Sequence, residues 1–309
     1  MSVAMVFPGQ GSQSPAMLSD IALHYPEVMA TFAEASQVLG YDLWQLTQQG
    51  PIEKLDQTVY TQPALLTASY AIWRILMTNG VTQPVLLAGH SLGEYSALVC
   101  AEALAFPDAV RLVAARGLYM QEAGAGAMAA IIGLDNSQVL AICEQAIISP
   151  QQVLAPANFN SPGQIVIAGD TACVERAIHL AKAQGARLAK MLAMSVASHC
   201  ALMQPAAQRL EKLLASIPLQ HPVIPVLNNV DVKIYQSVDG IREGLVRQLT
   251  SPVRWVETIE YFASHGITQI IECGAGKVLT GLNKRIAANI VTLSTCDMES
   301  LQITLSMGK

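Results

Sequence analysis

The sequence is poor in charge. Only 13% of its 309 residues are Asp, Glu, Lys or Arg, the formal net charge is −5, and no block of like charge occurs. A nucleic-acid face or a polybasic membrane anchor needs clustered basic residues, so neither is expected. Long apolar runs are missing too, since none approaches the ~18 residues that a bilayer span takes. No basic leader with a cleavage site precedes the first apolar run, "VAMVF", and the expectation is a cytoplasmic protein. Cysteine occurs as six scattered residues (100, 143, 173, 200, 273 and 296), without a Cys-x-x-Cys or a Cys/His pairing at zinc spacing. Reduced, buried thiols and no metal are expected. Repeats and low-complexity linkers are also absent.

Apolar residues are plentiful at 52%, enough for one large core and a smaller second one. Strand-like runs ("VAMVF", "PVLLAG") alternate with helix-like ones, including a long helical stretch to about residue 80, "SLGEYSALVCAEAL" and "DAVRLVAARGLYMQEA". That alternation predicts an α/β class with a helix-covered parallel sheet. After Gly126 the order changes. "AMAAIIGL" reads as strand, "NSQVLAICEQAI" as a helix capped by Asn136, and "VLAPANFN" with "QIVIAGD" as a hairpin. "TACVERAIHLAKAQG" then reads as helix and "ARLAKMLAMS", 186–195, as strand. This β-α-β-β-α-β order predicts a ferredoxin-like small domain, 127–196, inserted into a large domain of 1–126 and 197–309. A cleft between the two is the expected ligand site.

Gly89-His90-Ser91-Leu92-Gly93 fits G-x-S-x-G, with an apolar strand before it and a helical pattern after it. A sharp strand-to-helix turn leaves no room for side chains at the flanking positions, hence the glycines. It lifts the Ser91 hydroxyl clear of the sheet and sets the Leu92 N–H at a helix N-terminus, aimed at a developing oxyanion. An ordinary Gly-Ser helix start would carry the same letters. A nucleophilic serine needs a base, and the chain offers His24, His90, His179, His199, His221 and His265. Only His199 sits at a strand end, opening a helix that Ser198 would cap, where the helix's positive end would keep the ring neutral. A structural histidine fits that position equally well.

No carboxylate stands out as a third member to orient the histidine. The helix "GIREGLVRQLT" must stop before Pro252, so carbonyls around Gln248 lack intrahelical partners, and one of them is free to accept the other imidazole N–H. "VFPGQGSQ", 6–13, is a glycine-bearing loop after a strand and lacks the spacing of a nucleotide-binding loop. Its Gln10 N–H is assigned as the second oxyanion donor. On the helix that comes after the elbow's own, residues 109, 112, 113, 116 and 120 form one stripe of Ala, Leu, Val, Arg and Met. A cation on that apolar face needs an anionic partner, either an internal carboxylate or the carboxylate of a dicarboxylic half-ester or half-thioester substrate.

In sequence order, "VFPGQGSQ", "TQPAL", "GHSLGEYSAL", the Arg116-Gly117 pair, "GAMAAIIGL", "NFNSPGQIVIAG", "SHCALMQPAA", "VRQL" with "PVRW" and "GAGKVLTGL" resemble the malonyl-CoA:acyl-carrier-protein transacylases. The resemblance covers nearly the whole chain and weakens after about residue 287. It implies an α/β-hydrolase-like large domain with a ferredoxin-like insertion. It also implies transfer of malonyl from malonyl-CoA to the phosphopantetheine thiol of acyl carrier protein, through a malonyl-serine ester with ping-pong kinetics and no cofactor, in a monomer that serves fatty-acid elongation. Position by position, Ser91 falls on the nucleophile, His199 on the base, Gln248 on the main-chain carbonyl that holds it, Arg116 on the malonyl-carboxylate site, and Gln10 and Leu92 on the oxyanion donors. The resemblance further implies that Asn160 lines the substrate cleft, that His90 either helps position the carboxylate or packs at the elbow, and that Lys284 and Arg285 contact the carrier. Rivals are an acyltransferase of a polyketide or malonate-decarboxylase system, and a serine esterase or thioesterase.

Overall fold

The computed structural model describes residues 2–193 and 196–307. Nine strands occur among them: β1 Val3–Phe7, β2 Leu86–Gly89, β3 Ala127–Ile132, β4 Leu154–Ser161, β5 Gln164–Gly169, β6 Leu188–Met191, β7 Val226–Leu227, β8 Gln269–Glu272 and β9 Val291–Ser294. They form two separate sheets.

The first sheet runs in the order β7-β2-β1-β8-β9, and every pairing in it is parallel. Its central strand β1 is buried at all five positions, which a parallel sheet covered on both faces requires. Alternate side chains enter different cores: Val3, Met5 and Phe7 pack with the helices Pro26–Leu39, Thr58–Thr78 and Phe106–Glu122, while Ala4 and Val6 pack with Trp255, Ile259 and Phe262. The long helical stretch expected before residue 80 is five helices, of which Thr58–Thr78 is the longest.

The second sheet, β4-β5-β3-β6, is antiparallel. One face, with Ala129, Ile131, Ile165 and Ile167, is covered by the helices Asn136–Ala146 and Thr171–Ala183. Its other face, with Met128 and Val166, turns toward the parallel sheet and packs with Ala197 and Cys200. Two sequence expectations need correction here. The helix Asn136–Ala146 is capped by Asp135, not Asn136: the Asp135 carboxylate accepts from Gln138 N–H and the Gln138 side chain accepts from Asp135 N–H, a reciprocal box one residue earlier. The strand expected over 186–195 ends at Met191 among the described residues, and Met194 and Ser195 of that stretch lie outside them.

Candidate active site

β2 ends at Gly89 and the helix Gly93–Cys100 begins four residues later, so the chain reverses within His90-Ser91-Leu92. The turn forces Ser91 to a φ of +52°, a region where a residue with a Cβ is strained. A Cβ on Gly89 would fall 1.8 Å from the Gly93 carbonyl carbon, and one on Gly93 would fall 2.0 Å from the Phe7 carbonyl oxygen. Glycine is therefore obligatory at both flanks. Asn229, after β7, holds the bend closed: its Nδ2 donates to Gly89 O at 2.6 Å, and its Oδ1 accepts from Ser91 N–H at 2.7 Å.

His199 meets Ser91 across the cleft, with Nε2 lying 2.9 Å from Ser91 Oγ. Its Nδ1 lies 2.7 Å from the carbonyl oxygen of Gln248, the last residue of the helix Val238–Gln248. A carbonyl only accepts, so Nδ1 carries the proton and Nε2 is left to take the serine's. His199 does not open a helix. A 3-10 turn starts at Ala201 and the next helix spans Gln204–Leu214 with Pro205 in its first turn, and no side chain caps either start, so Ser198 has no capping role. The ring is kept neutral by other means: burial, and then the Arg116 cation, push its pKa down to about 3.

Arg116 is 1% exposed, yet no carboxylate lies within ion-pair distance of it among the described residues. The internal salt bridge weighed from the sequence does not form. Instead Nη1 donates to Gln62 Oε1 at 2.9 Å, while Nη2 donates to Gln248 Oε1 at 2.8 Å and to Ser91 Oγ at 3.2 Å. Its Nε has no partner, and the guanidinium stands 5.3 Å from the centroid of the Tyr95 ring. A cation so placed can present a fork to a carboxylate beside Ser91 once that hydroxyl releases its share of Nη2.

Ser91, His199, Arg116 and Gln62 line a cleft of about 440 Å³ between the two sheets, together with Gln10, Leu92, His90 and Asn160. The main-chain N–H groups of Gln10 and Leu92 donate to no protein acceptor among the described residues, and so are available to an oxyanion. The Gln10 side chain is tied to Thr58 Oγ1 at 3.2 Å. His90 Nε2 bonds Asn160 Oδ1 at 2.9 Å and its ring packs against Trp255; burial holds its pKa below the ordinary range. Lys284 and Arg285 are exposed and lie outside the cleft lining. Their helix, Val278–Ile286, does contribute Val278, Leu279 and Leu282 to the lining, and Arg285 Nη1 reaches the cleft residue Gln164 at 2.7 Å. No group of three or more His, Cys, Asp or Glu side chains among the described residues is placed to hold a metal ion.

Sequence reasoning missed a polar layer beneath the elbow. Gln62, Glu94, Asn229 and Tyr235 are all buried, and hydrogen bonds join the last three to one another or to Gln248. One signal was available for Glu94, since it is the only charge in "GEYSALVC", a helix with every residue buried.

Residues 4–291 match the acyl transferase domain family. The malonyl CoA-acyl carrier protein transacylase of Escherichia coli strain K12 is 54% identical over 307 residues, covering 98% of this chain and 99% of that protein. The solved structure of the malonyl CoA-acyl carrier protein transacylase from Coxiella burnetii superposes with a TM-score of 0.97 at 50% identity, covering 100% of this chain and 98% of that one. A solved complex of a type II PKS acyl-carrier protein with its malonyl-transacylase matches with a TM-score of 0.96 at 55% identity, over 99% of both chains.

Proposed function

Because this chain belongs to the acyl transferase domain family, we propose that it moves malonyl from malonyl-CoA to the phosphopantetheine thiol of acyl carrier protein, supplying fatty-acid elongation. One observation carries this reading: Ser91 Oγ lies between a neutral imidazole 2.9 Å away and a guanidinium 3.2 Å away. The imidazole suits acyl transfer, and the cation suits an acyl group ending in carboxylate.

In the first half-reaction His199 Nε2 takes the Ser91 proton as Oγ attacks the thioester carbon. The Gln10 and Leu92 N–H groups hold the oxyanion, each worth roughly 3 kcal/mol. The C–S bond then breaks, and His199 returns the proton to the departing CoA sulfur. In the second half the carrier's thiol enters the same cleft and gives its proton to His199, and its sulfur attacks the malonyl ester. When the C–O bond breaks, Ser91 recovers its proton, so the kinetics are ping-pong. Gln248 O keeps the imidazole in one tautomer throughout, and Arg116 anchors the malonyl carboxylate. Acetyl would leave that buried cation unpaired, which disfavours it. His90 and Asn160 line the acyl path as a hydrogen-bonded pair. Each step is a proton or acyl transfer between named groups, so the reaction is written without metal or cofactor.

Within the same reading the larger unit, 1–126 and 197–309, is α/β-hydrolase-like and the smaller, 127–196, a ferredoxin-like insertion; the β4-β5-β3-β6 order supports the latter. Lys284 and Arg285, exposed near the cleft on the helix Val278–Ile286, offer the carrier a basic contact. The enzyme acts as a cytoplasmic monomer without nucleic-acid or membrane partners; no helix among the described residues is long and apolar enough to cross a bilayer. A second acceptor, the carrier protein of a polyketide system, is favoured by the 55% identity to the malonyl-transacylase solved with such a carrier.

Intact-mass measurement after mixing with malonyl-CoA tests the reading. A malonyl adduct is expected that disappears in Ser91→Ala and is discharged by carrier thiol. An adduct that persists without Ser91, or that only water discharges, overturns it.

A further inference from the structure

Glu94 is fully buried, and its carboxylate takes three donors: Gln248 Nε2 at 2.8 Å and Asn229 N–H at 3.1 Å on Oε2, and the Tyr235 hydroxyl on Oε1. Two of the three, the Gln248 NH2 and the Asn229 N–H, can only donate, and both converge on Oε2, so the arrangement favours the ionised form. Burial raises the Glu94 pKa, while the same three donors and the Arg116 charge oppose that rise. Such an anion needs a cation, yet it makes no ion pair. The buried cation nearest in the network is Arg116, and the Gln248 side chain stands between them: Oε1 accepts from Arg116 Nη2 at 2.8 Å, and Nε2 donates to Glu94 at 2.8 Å and to Ser91 O at 3.1 Å.

We propose that Glu94 is a positioning residue for acyl-group selection, acting as the counter-ion of Arg116 through the Gln248 amide instead of by direct contact. A direct bidentate pair would take one fork of the guanidinium and neutralise the charge that a substrate carboxylate needs. The relay compensates the buried cation while keeping one edge of it open to the cleft. It also fixes the amide's orientation, because reversing Gln248 would set its NH2 against the guanidinium and its oxygen against the carboxylate. Asn229, which donates its N–H to Glu94, clamps Ser91 N–H with its side chain, so the same anion also supports the elbow. Thus Glu94 touches no reacting atom but ties the cation's direction to the nucleophile's backbone.

The inference rests on the malonyl-transfer reading, and the experiment separates the two. Glu94→Gln preserves shape and removes the charge, and Gln248→Leu cuts the relay while leaving the main-chain carbonyl that His199 needs. Both are compared with the unaltered enzyme for kcat/KM with malonyl-CoA and with acetyl-CoA, per active site counted from Ser91 acylation. The malonyl-over-acetyl ratio is expected to fall roughly 10- to 100-fold in each variant, the equivalent of one charge-assisted hydrogen bond. A merely structural role would lower the melting temperature and the count of active sites but leave that ratio per site unchanged. An unchanged ratio in folded Glu94→Gln overturns the inference, and if that variant does not fold, an unchanged ratio in Gln248→Leu does so. Failure of Ser91 acylation in the unaltered enzyme would instead defeat the functional reading.

Discussion

Replacing Arg116 by methionine keeps most of the volume and removes the charge, which isolates what the cation does. The N–H on Nε and the second one on Nη1 have no partner, and one on Nη2 is shared with Ser91 Oγ; a bidentate carboxylate takes two of these three. Each charge-assisted bond is worth about 1.5–3 kcal/mol, so losing both costs about 3–6 kcal/mol, or roughly 10²- to 10⁴-fold in kcat/KM for malonyl-CoA. Acetyl-CoA should not suffer the same loss, because in the unaltered protein it leaves the cation unpaired. A second effect follows from the shared oxygen. Arg116 lowers the His199 pKa, so in Arg116→Met that pKa rises and the acidic limb of the acetyl-transfer rate profile moves to higher pH. Steady-state rates with both thioesters, measured against pH on protein whose circular dichroism is unchanged, provide the assay. A variant that still prefers malonyl as strongly as the parent refutes the assignment of Arg116 as the carboxylate site.

Gly93→Ala should destabilise by about 3 kcal/mol or more, because its Cβ would meet a backbone carbonyl that no side-chain rotation can move; urea midpoints measure this. Stability should fall as pH drops from about 6.5, the ordinary imidazole value, toward 3. In that window the unfolded chain protonates His199 while the folded one holds it neutral near its pKa of about 3, so the slope of stability against pH is positive. His199→Gln should flatten that slope. Dialysis against EDTA should leave malonyl transfer unchanged, and a loss restored by a divalent cation would contradict the metal-free scheme.

The sequence makes the parts governed by local periodicity easy to read. β1 and β2 are short apolar runs bounded by Gly or Pro, and the break from parallel to antiparallel order after Gly126 is visible in the strand-strand hairpin of β4 and β5. The elbow and Arg116 are legible because each violates a local rule: a polar residue between glycines, and a cation on an apolar stripe. The polar layer beneath them follows no period. Glu94 pairs with Asn229 and Tyr235 across separations of 135 and 141 residues, and only the fold brings them together. The start of the helix after His199 escapes a local reading for a related reason. Ser198 looks like a cap locally, but a 3-10 turn and Pro205 delay the helix to Gln204, and the residue's surroundings are set by the main chain at 248–249.

That main-chain contact explains how the two facing side chains, Ser91 and His199, can both sit on strained backbone. Ser91 has φ +52° and His199 φ +64°, a region that costs about 1–3 kcal/mol for residues other than glycine. Glycine would relieve the strain at either position, but it would remove the hydroxyl or the imidazole. The strain is instead offset by paired ties. Asn229 holds Ser91 N–H and Gly89 O, while His199 donates its N–H to Leu249 O at 3.0 Å and its ring N–H to Gln248 O at 2.7 Å. Gln248 then returns to the elbow through its side chain, bonding Ser91 O. One helix end thus fixes both the His199 imidazole and the Ser91 backbone, and with them the 2.9 Å separation between Nε2 and Oγ.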